Sequence, residues 1–402
     1  MTVFGFDEAR ARLLSSVRRV SKERVPFSDG SGRVLMEDLI AREPLPPFDQ
    51  SAMDGYAIAT ADLGEQGAWT LPVAGESRAG REPPALAPRT ACRIFTGAPM
   101  PPGSDCVIMQ EHTTRAGGDL RFATRPTAMQ HVRRAGEDLE RNAIAIAAGT
   151  RLTPGALALA AMLDRAELVV ARRPRVTILC TGDELRGPGG ERFAASIPES
   201  NSAPLAAFAR QAGASVRIAP IVGDDPNATR EAIEQALDGT DVLLTVGGVS
   251  VGDHDVVRAA LEHAGVALDF WKVAIKPGKP LAVGRSPTAH VLGLPGNPSS
   301  ALVTFVMFGM PLLRAMQGDA RPCAMPLVAR LAAARKRSPE RLELARATLR
   351  VDGDTLVAHV HDNQASGAAT SLACSDGVAL VPPAAGPLEA GAHVAFVRWG
   401  DA

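Results

Sequence analysis

The segment "DVLLTVGGVSVGDHDVVRAALEHAG" (residues 241–265) changes texture partway along. It opens on a short, unbroken apolar run, as expected of a strand buried on both faces of a parallel sheet. It closes on a helix-like run. Between them lies a loop carrying Gly247, Gly248, Ser250, Asp253 and Asp255. A strand that feeds a helix through a glycine loop is the repeating unit of an α/β domain.

The same alternation extends outward from about residue 172 to 318. "RVTILC" (175–180) leads through a long loop to the helix-like "APLAAFARQAG", and "SVRIAPIV" reads as a strand. "DPNATREAIEQAL" (225–237) has Asp225 as an N-cap and Pro226 in the first turn. "HVLGL" (290–294) precedes "NPSSALVTFVMFGMPLL". The spacing predicts a mostly parallel sheet. Upstream, residues 22 to about 150 are rich in Pro, Gly and short β-like runs, which reads as irregular β structure. Thr153 and Pro154 then open a helix, and Phe6, Leu13, Leu14, Val17 and Val20 recur at helical spacing near the N-terminus. From 325 onward, "LELARATLRV", "TLVAHVH", "GVALVPP" and "HVAFVRW" predict a small C-terminal β domain or barrel.

At 402 residues the chain is long enough for two to four domains. A net charge of -1 gives no bulk electrostatic case for nucleic acid or an anionic membrane. No apolar run reaches the roughly 20 residues of a membrane helix, and the first residues do not read as a signal peptide. The five cysteines form no C-x-x-C pair, so neither zinc nor a disulfide framework is expected and a reducing cytoplasm is the default.

Ligands of parallel α/β sheets gather at the carboxyl ends of strands. Three loops with unusual residues fall there: "TGDEL" (Thr181, Gly182, Asp183, Glu184), the Gly247-Gly248 loop, and "PGNPSS" with Pro295, Gly296, Asn297 and Pro298. Glycine lets backbone N–H groups approach an oxyanion, and a helix start favours one too. Asn297 reads as a cap, and Asp253 or Asp255 taken alone also reads as one. Three of the five lysines, Lys272, Lys276 and Lys279, crowd into "FWKVAIKPGKP" (270–280), in a chain that otherwise carries its positive charge on arginine. An ammonium is a compact, rotatable point charge suited to a small oxyanion. A basic surface loop is the plainer reading. Glu184, Asp224 and Asp255 fall near the same sheet edge, and oxygen ligands beside phosphates point to Mg²⁺. Solvated surface acids remain the alternative.

Six phrases, "PPFDQSAMDGYA", "RRAGED", "TGDEL", "GGVSVGDHD", "FWKVAIKPGKP" and "GLPGNP", stand in this order between residues 46 and 300. Together they resemble the molybdopterin molybdenumtransferase family, the MoeA and gephyrin E-domain group. The resemblance implies an elongated homodimer whose active site is shared between subunits. It implies an α/β molybdopterin-binding domain (1–21 and 172–320), a linking domain (22–45 and 142–171), a β-rich domain serving the partner's site (46–141) and a C-terminal β-barrel (325–402). It implies insertion of molybdate into adenylylated molybdopterin with Mg²⁺ and release of AMP. The matched functional positions are Asp54, Asp138, Glu184, Asp224, Asp255, Lys272, Lys276, Pro295 and Pro298, with Ser366 in a phrase that departs from the usual pattern. Thr181, Gly182, Asp183, Gly247, Gly248, Ser250, Lys279, Gly296 and Asn297 join them as substrate-binding candidates, and Glu184 and Asp255 as metal ligands. Val246 stands where a serine is common. A tungstate-handling paralogue, a molybdopterin adenylyltransferase and a gephyrin-type scaffold are the alternatives. Transient contacts with other cofactor-biosynthesis proteins are the expected partnerships.

Overall fold

The protein is described here by a computed structural model covering residues 3–65, 67–248 and 256–401. Its centre is a six-stranded sheet in the order Ser215–Ile218, Arg175–Cys180, Val242–Val246, His290–Leu294, Pro280–Arg285, Ala267–Lys272. The first four strands are parallel, and the last two close the edge antiparallel. The parallel strands are apolar without alternation because helices cover both faces. Val242–Val246 and His290–Leu294 are buried along their whole length.

On one face lie the helices Phe6–Ser15 and Ser202–Gln211 and the long run Pro298–Met316, packed through Phe6, Leu13, Leu205, Phe305 and Phe308. Phe6 meets Phe308 edge-on at 5.5 Å. On the other lie Pro226–Leu237 and Val256–His263, packed through Ile233, Val257 and Leu261. The run Pro298–Met316 would be long and apolar enough to cross a bilayer, but it is 89% buried within the fold. Its middle, Phe305–Gly309, widens into a π-helical turn, and a Cβ on Gly309 would lie 2.1 Å from the Phe305 ring. That turn precedes Pro311, which cannot donate to a regular ladder.

Lys22–Pro26 pairs antiparallel with Glu167–Ala171, and Leu35, Leu39, Ile146, Leu152 and Val170 form a separate small core. A second six-stranded sheet, Cys106–Met109, Gly55–Ile58, Ala91–Ile94, Trp69–Ser77, Asp119–Phe122, Thr114–Ala116, carries the DGYA stretch near one edge. In the C-terminal region Leu342–Asp352, Thr355–Val360, Leu327–Leu331, His393–Arg398 and Gly377–Val381 pair in sequence. Leu342–Asp352 returns to pair with Gly377–Val381, closing a barrel.

Among the described residues the caps read from sequence hold at two of three helices. Thr153 accepts from Ala156 N–H and Asp225 from Ala228 N–H. Asn297 occupies the N-cap position of Pro298–Thr304 but makes no side-chain capping bond. "SVRIAPIV" is a strand only over Ser215–Ile218, since Pro220 cannot donate to a ladder.

Candidate active site

The three central parallel strands end side by side. Cys180 lies opposite Val246, and Val246 opposite Leu294. The loops that follow are therefore brought together, and their backbones knit: Thr181 N–H donates to Val246 O at 3.0 Å and Gly247 N–H to Leu294 O at 3.3 Å. Over them opens a cleft of about 1370 Å³. Of the residues read from sequence, Thr181, Gly182, Glu184, Asp224, Gly247, Gly248, Pro295, Gly296, Asn297 and Pro298 line it.

The glycines are there for space. Gly247 has φ +92° and Gly248 φ +59°. A Cβ would stand 2.5 Å from Thr181 O at the first and 2.3 Å from Val257 Cγ2 at the second. Any other residue would need left-handed backbone and a displaced neighbour. At Gly182 a Cβ would lie 2.6 Å from Glu184 Oε2, so glycine lets that carboxylate fold down against the chain. Asp183 and Asp224 clasp each other's backbone: Asp224 N–H donates to Asp183 Oδ1 at 2.9 Å, and Asp183 N–H reaches Asp224 Oδ2 at 3.5 Å. Glu184 and Asp224 are both exposed to the cleft. Among the described residues the hydroxyl of Thr181 is buried without a partner, and Val246 adds no polar group.

The Pro-Gly-Asn-Pro loop is fixed from two sides. Asn201 Nδ2 donates to Gly296 O at 2.8 Å. Ser299 N–H donates to the carbonyl of Ser366 at 3.2 Å, and Ser299 Oγ to Ala368 O at 3.2 Å. Ser366 thus meets the site through its backbone. Asn201 is seated in turn by Glu199, which accepts from Asn201 N–H and from Ser202 N–H and Oγ. Burial pushes the Glu199 carboxyl up, and these donors more than offset it, so the group ends below its ordinary value. Asn201, Arg230 and His263 also line the cleft. None was legible beforehand, because each sits on or beside a helix whose facing partner the sequence does not reveal.

The structure does not bring every candidate into this cleft. Lys272, Lys276 and Lys279 do not line it, nor do Asp183, Ser366, Asp54 and Asp138. Lys272 ends the strand Ala267–Lys272 opposite Pro280, at the cleft's edge, since Pro280 does line it. Lys276 Nζ lies 3.4 Å from Glu343 Oε1 of the C-terminal barrel. Asp54 Oδ1 accepts from Thr96 N–H and Oγ1, both at 2.8 Å, and these bonds hold its carboxyl below the usual range. Asp138 is exposed, its N–H bound to Leu45 O. Ser250, Asp253 and Asp255 lie outside the described residues. Among the described residues no three acidic, histidine or cysteine side chains gather as a metal cluster.

Fold and cleft define an α/β protein with a glycine-lined cleft at the carboxyl ends of its strands, flanked by a β-rich domain and a β-barrel. The family model of the MoeA N-terminal region (domain I and II) matches residues 4–163, that of a probable molybdopterin binding domain residues 177–315, and that of the MoeA C-terminal region (domain IV) residues 328–399. The molybdopterin molybdenumtransferase of Haemophilus influenzae is 39% identical over 316 residues, 78% of each chain. That of Synechococcus elongatus is 36% identical over 405 residues, 98% of each chain. The crystal structure of the molybdopterin biosynthesis MoeA protein from Pyrococcus horikoshii OT3 superposes with a TM-score of 0.86 at 27% identity, over 98% of this chain and 99% of that one. The chain belongs to the molybdopterin molybdenumtransferase family, which works in molybdenum cofactor biosynthesis.

Proposed function

We propose that this chain inserts molybdate into adenylylated molybdopterin, with release of AMP and dependence on Mg²⁺. The observation that carries the reading is the cleft itself. Glycine- and proline-bearing loops with Thr181, Gly182, Gly247, Gly248, Pro295 and Gly296 line a space of about 1370 Å³, and the carboxylates of Glu184 and Asp224 and the basic side chains of Arg230 and His263 line the same space. The Arg230 guanidinium and the His263 ring supply side-chain donors in that space suited to phosphates and an oxyanion. The fixed Pro-Gly-Asn-Pro loop and the Asp183–Asp224 clasp keep the lining in place before ligand arrives.

The donor set fits Mg²⁺, which takes one or two carboxylates beside substrate phosphates and keeps its own waters. Glu184, folded over Gly182, would hold it together with Asp255. When bound, the ion would polarise the phosphoanhydride. Lys272, at the cleft's edge, and Lys276, held by the barrel, would then neutralise oxyanion charge.

Neither Asp54 nor Asp138 lines the cleft of its own chain. That supports a homodimer in which each β-rich domain reaches the partner's cleft. Transient encounters with other cofactor-biosynthesis proteins belong to the same reading.

The test is AMP released from adenylylated molybdopterin by purified protein, with and without molybdate. Molybdate-dependent release that falls strongly in Glu184→Gln supports the assignment. Consumption of ATP with molybdopterin instead would make the chain an adenylyltransferase, a preference for tungstate would mark a paralogue, and no turnover would leave a scaffold.

A further inference from the structure

The lysine loop is built into the C-terminal barrel. Its strand Ile275–Lys276 pairs in parallel with the start of Leu342–Asp352, placing Lys276 opposite Glu343, and Leu342 N–H donates to Ala274 O at 3.0 Å. Glu343 is a buried carboxylate, its side chain 4% exposed. Its Oε1 is shared by Lys276 Nζ at 3.4 Å and Arg335 Nη2 at 2.8 Å, while Oε2 accepts from Arg335 Nε at 3.3 Å. Among the described residues Lys272 and Lys279 have no ion pair; Lys276 alone of the three is held.

A carboxylate this deep is costly unless paired. Arg335 alone, through two donors, would satisfy most of it. The third member is the informative one. A lysine side chain has four rotatable bonds and samples solvent when free, whereas Lys276, half exposed, is tied at its tip to a group that cannot move.

We propose that Glu343 is a positioning residue, locked by Arg335, that fixes the Lys276 ammonium where it meets the substrate's oxyanion. The inference rests on the reading of Lys276 given above. It gives the C-terminal barrel a part in the reaction although no barrel residue lines the cleft: the barrel sets where the lysine points.

The experiment is a double-mutant cycle on molybdate-dependent AMP release, using full-length Lys276→Ala, Glu343→Gln and the double variant, with melting temperature followed for each. Glu343→Gln should lower kcat/KM by roughly ten-fold. In the Lys276→Ala background it should cost nothing further, since its target is gone. A residue with a merely structural role would lower activity by the same factor in both backgrounds, and that additivity would overturn the proposal. Arg335→Gln serves as a second route should Glu343→Gln fold poorly. It should show a smaller loss with the same dependence on Lys276, and additivity there would overturn the proposal equally. Full activity in Lys276→Ala would instead refute the role of the lysine itself, and the clamp with it.

Discussion

Gly55, in the DGYA stretch, lies in a strand hydrogen-bonded on both edges, to Ala91–Ile94 and to Cys106–Met109. Replacing it with alanine would place a Cβ 2.0 Å from Ile108 O, 2.8 Å from Ile108 C and 3.1 Å from Val107 Cγ1. A carbon–oxygen contact needs about 3.3 Å, so the two strands must separate by roughly 1 Å. The obstacle is backbone, and it cannot swing aside as a side chain would. Cys106 and Val107 on the obstructing strand are fully buried, so the shift opens the core behind them. Overpacking ordinarily costs about 1–3 kcal/mol, and a backbone clash belongs at the upper end. A loss of about 3 kcal/mol is a hundred-fold or greater increase in local opening. Because a chain of several domains does not melt as one unit, the assay is amide hydrogen exchange of residues 55–58 and 106–109. Gly118→Ala in the same region, where nothing lies within 4 Å of the added carbon, is the control and should be silent. Unchanged exchange in Gly55→Ala would refute the steric argument. The displaced strand also carries Asp54 off its Thr96 donors, so activity should fall in step.

Burial, reinforced by Arg285 and Arg18, lowers the His290 imidazole from 6.5 to about 4. The unfolded chain then takes up its proton first as pH falls. This stability is complete above about pH 6.5 and is lost towards pH 4, roughly 3 kcal/mol in all. Denaturant titrations should show that loss in the parent and a flatter profile in His290→Gln. Asp241 accepts from Arg172 Nη1 at 2.6 Å, Arg172 Nη2 at 2.7 Å and Arg175 N–H at 2.7 Å. Asp241→Asn should cost about 3–5 kcal/mol, and a loss in denaturant stability below about 1 kcal/mol would show the group to be effectively solvated. Burial pushes the Cys106 thiol up to about 12 and Cys180 higher still, with Glu199 adding to the latter. Thiol labelling followed by mass spectrometry should therefore mark the exposed Cys374 in native protein and these two only after unfolding.

Contacts between near neighbours in the chain were the legible ones. Unbroken apolar runs such as "DVLLTV" announced strands covered on both faces, and Thr153 and Asp225 cap as read because a cap needs only the next three residues. The glycine and proline loops fell where strand ends always fall, so much of the cleft lining followed from strand order. Glu343 could not be read. Its partner Lys276 is distant in the chain, and parallel pairing between the lysine loop and the barrel leaves no local periodicity in either segment. Arg230 and His263 look like any polar residues of amphipathic helices until the cleft between those helices is seen. Asn297 misled for a related reason: the helix it precedes takes its capping acceptor from Ser366, in the barrel's own loop.

The proposed homodimer sets the cleft of one chain against the β-rich domain of its partner. Mixed dimers of Asp54→Ala and Lys276→Ala subunits test it most directly, each parent homodimer keeping only a small residue of molybdate-dependent AMP release. The mixed dimer contains one cleft with its lysine intact facing an intact Asp54, so activity should return at one of the two sites. Mixed dimers no more active than either parent would contradict this pairing and place Asp54 within its own chain's chemistry or outside the reaction.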